Sequence, residues 1–260
     1  MSSHFREFAK SITGSAAATL LPQARYGRMI LVLSHMRGAT TAITNVLCSH
    51  PSVAGYGETH VLHNSRHSPG RVVVNLALRG AIKPGARYLC DKILHSELDQ
   101  NAPAEFFKAR AIFVLRAPGP SIRSLAALAR KTNMAGYQDL TACARYYAER
   151  VEALSPHWQA FPRSHRHLIM AEELFGDPDG MVAQAGNWLG LQPALENRYV
   201  SHAASVKGGG GDPTRSADFT RIEARAKEDP AMPAAVAGTD LADRCARAYA
   251  ALMEAGATPD

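Results

Sequence analysis

Apolar residues along this chain fall into two spacings that alternate. Runs in which nearly every residue is apolar, at 29–33, 88–90, 111–115 and 167–170, predict strands buried on both faces. Between and after them, 41–49, 71–79, 119–129, 140–154 and 178–189 repeat apolar residues every three or four positions, which predicts amphipathic helices. In the fourth of these, Ala144, Tyr147, Val151 and Leu154 share one face. Near the end of the chain Leu241, Cys245, Ala248, Tyr249 and Leu252 do the same, predicting a last packed helix. Alternating strands and helices predict an α/β fold, a three-layer sandwich around a central, mostly parallel sheet. The 260 residues are read as a single domain over 1–260 with an N-terminal extension over 1–27.

Two stretches break the pattern. Residues 55–69 are rich in His, Ser and Gly, and Lys207 opens a run of four glycines within 207–213; each is a flexible linker or a loop that closes over a ligand. His60, His63 and His67 read as solvated surface in preference to the lining of a polar acceptor pocket. The formal charge of +6 favours anionic ligands without choosing among them, and no pattern calls for nucleic acid. Cys48, Cys90, Cys143 and Cys245 lie far apart, which argues against a zinc knuckle or a compact disulfide framework and for reduced, buried thiols. The N-terminal stretch has neither a secretory core nor the ~20 apolar residues of a span, so the expectation is a cytoplasmic protein without integral membrane association. Oligomeric state is not legible.

The first strand runs into Ser34, His35, Met36, Arg37, Gly38, Ala39, Thr40 and Thr41: a small-residue turn with one cation, then two hydroxyls entering a helix. The first N–H groups of a helix have no partners within it and carry the positive end of its dipole, so this P-loop-like corner suits an anion. A tight packing corner is the other reading of those residues alone. The lysine and Mg²⁺-binding hydroxyl of a G-x-x-x-x-G-K-[ST] loop are absent.

Further residues fall at the same carboxyl-terminal sheet edge, where ligands of such folds bind. Glu58 follows a short second strand and is placed to act as a general base. Lys92 follows the apolar 88–90 and emerges at a strand end. Arg116 ends the 111–115 strand and Ser124 lies inside the next helix, a pairing suited to a phosphate monoester. No acid ends that strand, where a triphosphatase wants an aspartate for Mg²⁺.

With these residues in view the chain resembles the sulfotransferases that use 3′-phosphoadenosine 5′-phosphosulfate (PAPS). Arg37, Gly38, Ala39, Thr40 and Thr41 resemble the family's 5′-phosphosulfate loop, and Arg116 with Ser124 its 3′-phosphate site. His50-Pro51 followed by Gly57-Glu58-Thr59 is similar to the protein-tyrosine and carbohydrate branches, in which a glutamate is the base. Asp91-Lys92 is similar to the segment bearing the lysine that steadies the transferring group. Residues 169–178 and 187–191 resemble a segment typical of the fold, and Lys207 with its glycines the loop closing on the 3′ side.

The resemblance implies metal-independent in-line transfer of a sulfuryl group from PAPS to a hydroxyl of a carbohydrate, lipid or other small molecule, leaving adenosine 3′,5′-bisphosphate. It implies Glu58, Arg37 and Lys92 as the reacting groups. It implies Arg37, Gly38, Ala39, Thr40, Thr41, Arg116, Ser124 and Lys207 as donor ligands. Met36, Gly38 and Ala39 depart from the family pattern. A Cβ at 39, where glycine is usual, resists positive φ. Two alternatives stand beside this reading: a P-loop phosphotransferase using ATP and Mg²⁺, and a catalytically weak nucleotide-binding protein on the same fold.

Overall fold

The structure, a computed structural model, describes residues 23–206 and 218–257. Its centre is a five-stranded sheet in the order β2-β3-β1-β4-β5, every neighbouring pair parallel. The strands are β1 (Met29–Ser34), β2 (Val53–Ala54), β3 (Tyr88–Ile93), β4 (Arg110–Leu115) and β5 (Arg166–Met170). Between and after them lie α1 (Thr40–Ser49), α2 (Ser68–Leu78), α3 (Pro118–Thr132), α4 (Leu140–Ala160), α5 (Ala171–Gly176), α6 (Pro178–Leu189) and α7 (Asp240–Ala257).

Every residue of β1 is buried, because the sheet carries helices on both faces. Met29, Leu31 and Leu33 join one core with residues of α2, α3, α4 and α7. Ile30 and Val32 join the opposite core with residues of α1, α5 and α6. Strict alternation along a strand thus divides a continuous apolar run between two layers. All four residues of the stripe expected on α4 are buried, and on α7 Cys245, Ala248 and Leu252 are buried while Leu241 and Tyr249 pack beside them.

Two boundaries differ from the expectation in ways that matter for the site. α2 begins at Ser68, three residues early, with Pro69 in its first turn, where the missing N–H costs nothing. β3 continues through Asp91 and Lys92 to Ile93, so Lys92 is a buried strand residue and not one that emerges past the strand end. β1 sits between β3 and β4, and the order therefore reverses at β1, which makes its carboxyl end the switch-point crevice of a parallel sheet.

Candidate functional site

The corner between β1 and α1 is built by backbone geometry that few residues accept. Arg37 and Ala39 both have left-handed φ, 65° and 67°. Gly38 lies so close to the strand that an added Cβ would stand 2.5 Å from Ser34 Oγ and 3.1 Å from the His35 carbonyl. Glycine is needed at 38 for space, while the positive φ falls on its neighbours. Ala39 is the residue before α1 and offers no side-chain cap, so the first N–H groups of α1 are left for something outside the helix.

His35 fixes the loop from below. It is fully buried, its Nδ1 2.9 Å from the Met36 carbonyl and its Nε2 3.3 Å from the Arg116 backbone N–H. A carbonyl only accepts and an N–H only donates, so this pair selects the neutral tautomer protonated on Nδ1. Burial pulls its pKa down to about 4, the Met36 hydrogen bond opposes, and Arg116 and Arg150 lower it further.

Three side chains of α4 clamp the strand ends. Tyr146 Oη accepts the Met36 N–H at 2.8 Å and donates to the Leu94 carbonyl at 2.8 Å. Tyr147 Oη donates to the Arg116 carbonyl at 2.8 Å. Arg150 donates to the carbonyls of Ser34 (2.9 Å) and Ile93 (3.1 Å) and forms a two-pronged pair with Asp99 (2.8 and 2.9 Å). Burial pushes the Asp99 carboxyl up, but His157, whose Nε2 stands 3.6 Å away, and the Arg150 guanidinium outweigh it and hold it below the usual carboxylate value. The sequence shows only the apolar stripe of this helix; residues 146, 147 and 150 are spaced for one helical face, yet nothing in the sequence says which carbonyls they reach.

On this platform the expected residues meet. Lys92 Nζ lies 3.3 Å from Thr41 Oγ1 and 3.1 Å from Glu58 Oε1, a buried ammonium joining the loop to the carboxylate. Thr40 is buried and Thr41 half-buried. Arg37 Nε donates to Ser124 Oγ at 2.9 Å, and Arg116 Nη1 donates to the Arg37 carbonyl at 2.8 Å. Arg37, Ser124 and Arg116 therefore form one group, and Thr41, Lys92 and Glu58 another, joined through the loop. Lys207 and the stretch 207–213 lie outside the described residues.

The Arg116 end carries a contact that no sequence motif announces. Glu228 Oε2 accepts from Arg116 Nε at 3.1 Å and is also paired with Nη2. The same segment lies over the start of α3, where Arg123 donates to the carbonyls of Ala231 and Asp229. A Cβ on Gly119 would collide with the Ala231 and Pro230 carbonyls. Glu172 Oε1 accepts the Ala117 N–H at 2.9 Å, tying β4 to the residues that follow β5.

The 55–69 stretch is more ordered in its contacts than expected. His60 is exposed and His67 half-buried, but His63 is fully buried, its Nε2 3.0 Å from Asp91 Oδ2. A buried carboxylate and the hydroxyl of Tyr26 (3.2 Å) supply what a buried imidazole needs, so His63 is no surface residue. Among the cysteines, Cys90, Cys143 and Cys245 are buried and Cys48 is half-buried, all free. Among the described residues no group of three or more His, Cys, Asp or Glu is placed to hold a metal ion, and no helix is long and apolar enough to cross a membrane.

Comparison with known proteins bears on this arrangement. A model of the sulfotransferase family matches residues 74–195. That segment is similar to sulfotransferase sequence. It contains Lys92, Arg116 and Ser124 and begins after the loop and Glu58. The solved sulfotransferase structures show the same fold. A sulfotransferase domain from the curacin biosynthetic pathway aligns at a TM-score of 0.57 with 16% identity, covering 86% of this chain and 96% of that one. The sulfotransferase domain of the Synechococcus PCC 7002 olefin synthase gives 0.55 and 16%, over 89% and 95%. A sulfotransferase from Alicyclobacillus acidocaldarius gives 0.54 and 13%, over 89% and 96%. Comparison with curated proteins gives no match. The resemblance drawn from the motifs and the α/β sandwich are both borne out, the sheet being parallel throughout.

Proposed function

We propose that this sulfotransferase-fold chain moves a sulfuryl group from PAPS to a hydroxyl of a carbohydrate, lipid or other small-molecule acceptor, and that Glu58 takes the acceptor's proton. The observation that carries the reading is the unbroken contact chain Thr41–Lys92–Glu58 (3.3 and 3.1 Å) at the open N-terminus of α1. It sets one cation between the anion loop and a carboxylate able to accept a proton.

The residues present suit such a donor as substrate. The uncapped N–H groups of α1 with Thr40 and Thr41 suit its 5′ end, and the absence of a side chain at Gly38 lets the loop fold tightly against the strand. Arg116 and Ser124, both bonded to Arg37, suit its 3′-phosphate. Lys92 and Arg37 are the groups that meet charge growing on the transferring oxygens; a well-placed donor of this kind contributes about 3–4 kcal/mol. Glu58, only 12% exposed and fixed by Lys92, has the geometry of a base before an acceptor arrives.

Calorimetry with adenosine 3′,5′-bisphosphate and with ATP, each with and without Mg²⁺, tests the donor. The expected result is Mg²⁺-independent binding of the bisphosphate, weakened by Arg116→Ala. Mg²⁺-dependent binding of ATP in its place overturns the reading in favour of phosphotransfer. Turnover with a panel of hydroxyl acceptors tests the base: Glu58→Gln is expected to lower transfer by about 10²–10⁴-fold with bisphosphate affinity kept.

A further inference from the structure

Three consecutive loop residues are gripped by two consecutive residues of β3. The Lys92 N–H donates to the Gly57 carbonyl at 3.2 Å. Lys92 Nζ pairs with Glu58 at 3.1 Å. Asp91, next to Lys92 and so on the opposite face of the strand, accepts from Thr59 twice: Oδ1 from the backbone N–H at 2.9 Å and Oδ2 from Oγ1 at 2.7 Å. Asp91 is itself held. His63 Nε2 lies 3.0 Å from Oδ2, and a carboxylate only accepts, so this nitrogen carries the proton. The Tyr26 hydroxyl stands 3.2 Å from His63 Nδ1 and 3.2 Å from the Ser65 carbonyl. On the loop side Asn75 of α2 donates to the Thr59 carbonyl at 3.0 Å. Thr59, Asp91 and His63 are all buried, and so are Tyr26 and Asn75.

A buried carboxylate is destabilising unless its lone pairs are used, and here three of them hold one residue and one ring. The Glu58 side chain is held by Lys92 at 3.1 Å and stands 3.9 Å from His60 Nδ1, while its backbone lies between two positive-φ residues, Gly57 at 125° and His60 at 54°, so the Thr59 clamp is what fixes the chain between those bends. We propose that Asp91 positions Glu58 by clamping Thr59, with His63 and Tyr26 holding the clamp, and that this fixes the base relative to Lys92. The proposal rests on the reading of Glu58 as the base. Asp91 touches no reacting atom; it acts through the backbone, where a displacement of about 1 Å costs roughly 100-fold in rate.

The test is a double-mutant cycle on turnover of PAPS, with water and with p-nitrophenol as acceptor probes. Asp91→Asn is expected to lower kcat by roughly 10- to 100-fold while the affinity for adenosine 3′,5′-bisphosphate stays within about twofold. In a Glu58→Gln background the same change is expected to cost almost nothing, because the group it positions is gone. Thr59→Val, which removes one hydrogen bond only, repeats the cycle where Asp91→Asn does not fold, and Thr59→Ser is expected to restore the rate. Equal losses in both backgrounds overturn the proposal and leave Asp91 a structural support. A Glu58→Gln enzyme as fast as wild type, or a wild type without turnover, overturns the reading of the base and the proposal with it.

Discussion

At the Lys92 end of the site the supporting side chains are buried and fully engaged: Arg150 at 1% exposure, Asp91 at 1%, His63 at 0%, each bonded to backbone or to a second buried group. At the Arg116 end the guanidinium is 11% exposed and its carboxylate partner, Glu228, is 47% exposed. The first arrangement resists rearrangement, since opening it leaves a buried charge or polar group without a partner. The second can exchange, because an exposed ion pair contributes at most about 1 kcal/mol and solvent replaces it. On the proposed function, the difference teaches how one site can keep reacting groups fixed yet admit and release a large anionic substrate: stiffness is concentrated at the proposed reacting groups, and exchangeable contact at the proposed phosphate site.

The largest expected effect breaks the stiff end. Arg150→Met removes the pair to Asp99 and two carbonyl bonds, stranding a buried carboxylate, and should destabilise the fold by about 3–5 kcal/mol in urea unfolding; a loss below about 1 kcal/mol, the value of an exposed pair, would make the two ends alike. pH probes the buried histidine under the loop, between the two ends. The folded His35 titrates near 4 and the unfolded residue near 6.5. Between those values the unfolded chain holds a proton the folded chain refuses. The contribution is therefore whole above pH 6.5 and is lost as pH falls toward 4, at up to about 1.4 kcal/mol per unit. His95, His165 and His167, also lowered by burial, act in the same direction. His35→Gln should flatten the slope by close to one proton, measured by urea melts between about pH 4.5 and 7; an unaltered slope refutes the assignment.

The two ends differ as much in how they were legible. Arg116, Ser124, Lys92 and Glu58 lie near strand ends in the sequence pattern, and a parallel α/β sheet gathers such positions at one edge whatever the loops do. Contacts that depend on rotation about a long helix were not legible: Tyr147 reads as part of the apolar stripe and Tyr146 and Arg150 as residues beside it, and only the packed helix shows their polar groups meeting the ends of β1, β3 and β4. The His-rich stretch misled because composition cannot tell a polar loop in water from one wrapped around a buried carboxylate; Asp91 was visible only as the neighbour of Lys92. Glu228 was out of reach for another reason: it stands 112 residues from Arg116, in a segment without strand or helix pattern.

Smaller effects sharpen the comparison within the loop itself. Ala39 holds φ of 67° and ψ of 9°, a left-handed conformation that costs a residue with a Cβ about 1–2 kcal/mol. Ala39→Gly removes that cost but adds freedom to the unfolded chain worth about 0.5–1 kcal/mol. The expected net is a gain of up to about 1 kcal/mol, read as a higher urea midpoint. A loss would show that the Ala39 methyl, half-buried against the α1 core, packs usefully enough to justify its backbone.

The least effect in energy is the most direct test of exchange. If Arg116 holds the 3′-phosphate as proposed, that phosphate has to take the place of the Glu228 carboxylate paired there, which makes the carboxylate a competitor built into the chain. Glu228→Gln keeps the size of the side chain and removes its charge. With an exposed pair contributing no more than about 1 kcal/mol, affinity for adenosine 3′,5′-bisphosphate should rise by up to about fivefold in calorimetry. Affinity for adenosine 5′-monophosphate, which has no 3′-phosphate, should stay the same, and so should the urea midpoint to within about 0.5 kcal/mol. The gain should shrink as salt is raised, because screening weakens the competing pair before the variant is made. A weaker grip on the bisphosphate would mean that Glu228 orients Arg116 for its ligand, and the Arg116 end would then be as rigidly held as the Lys92 end.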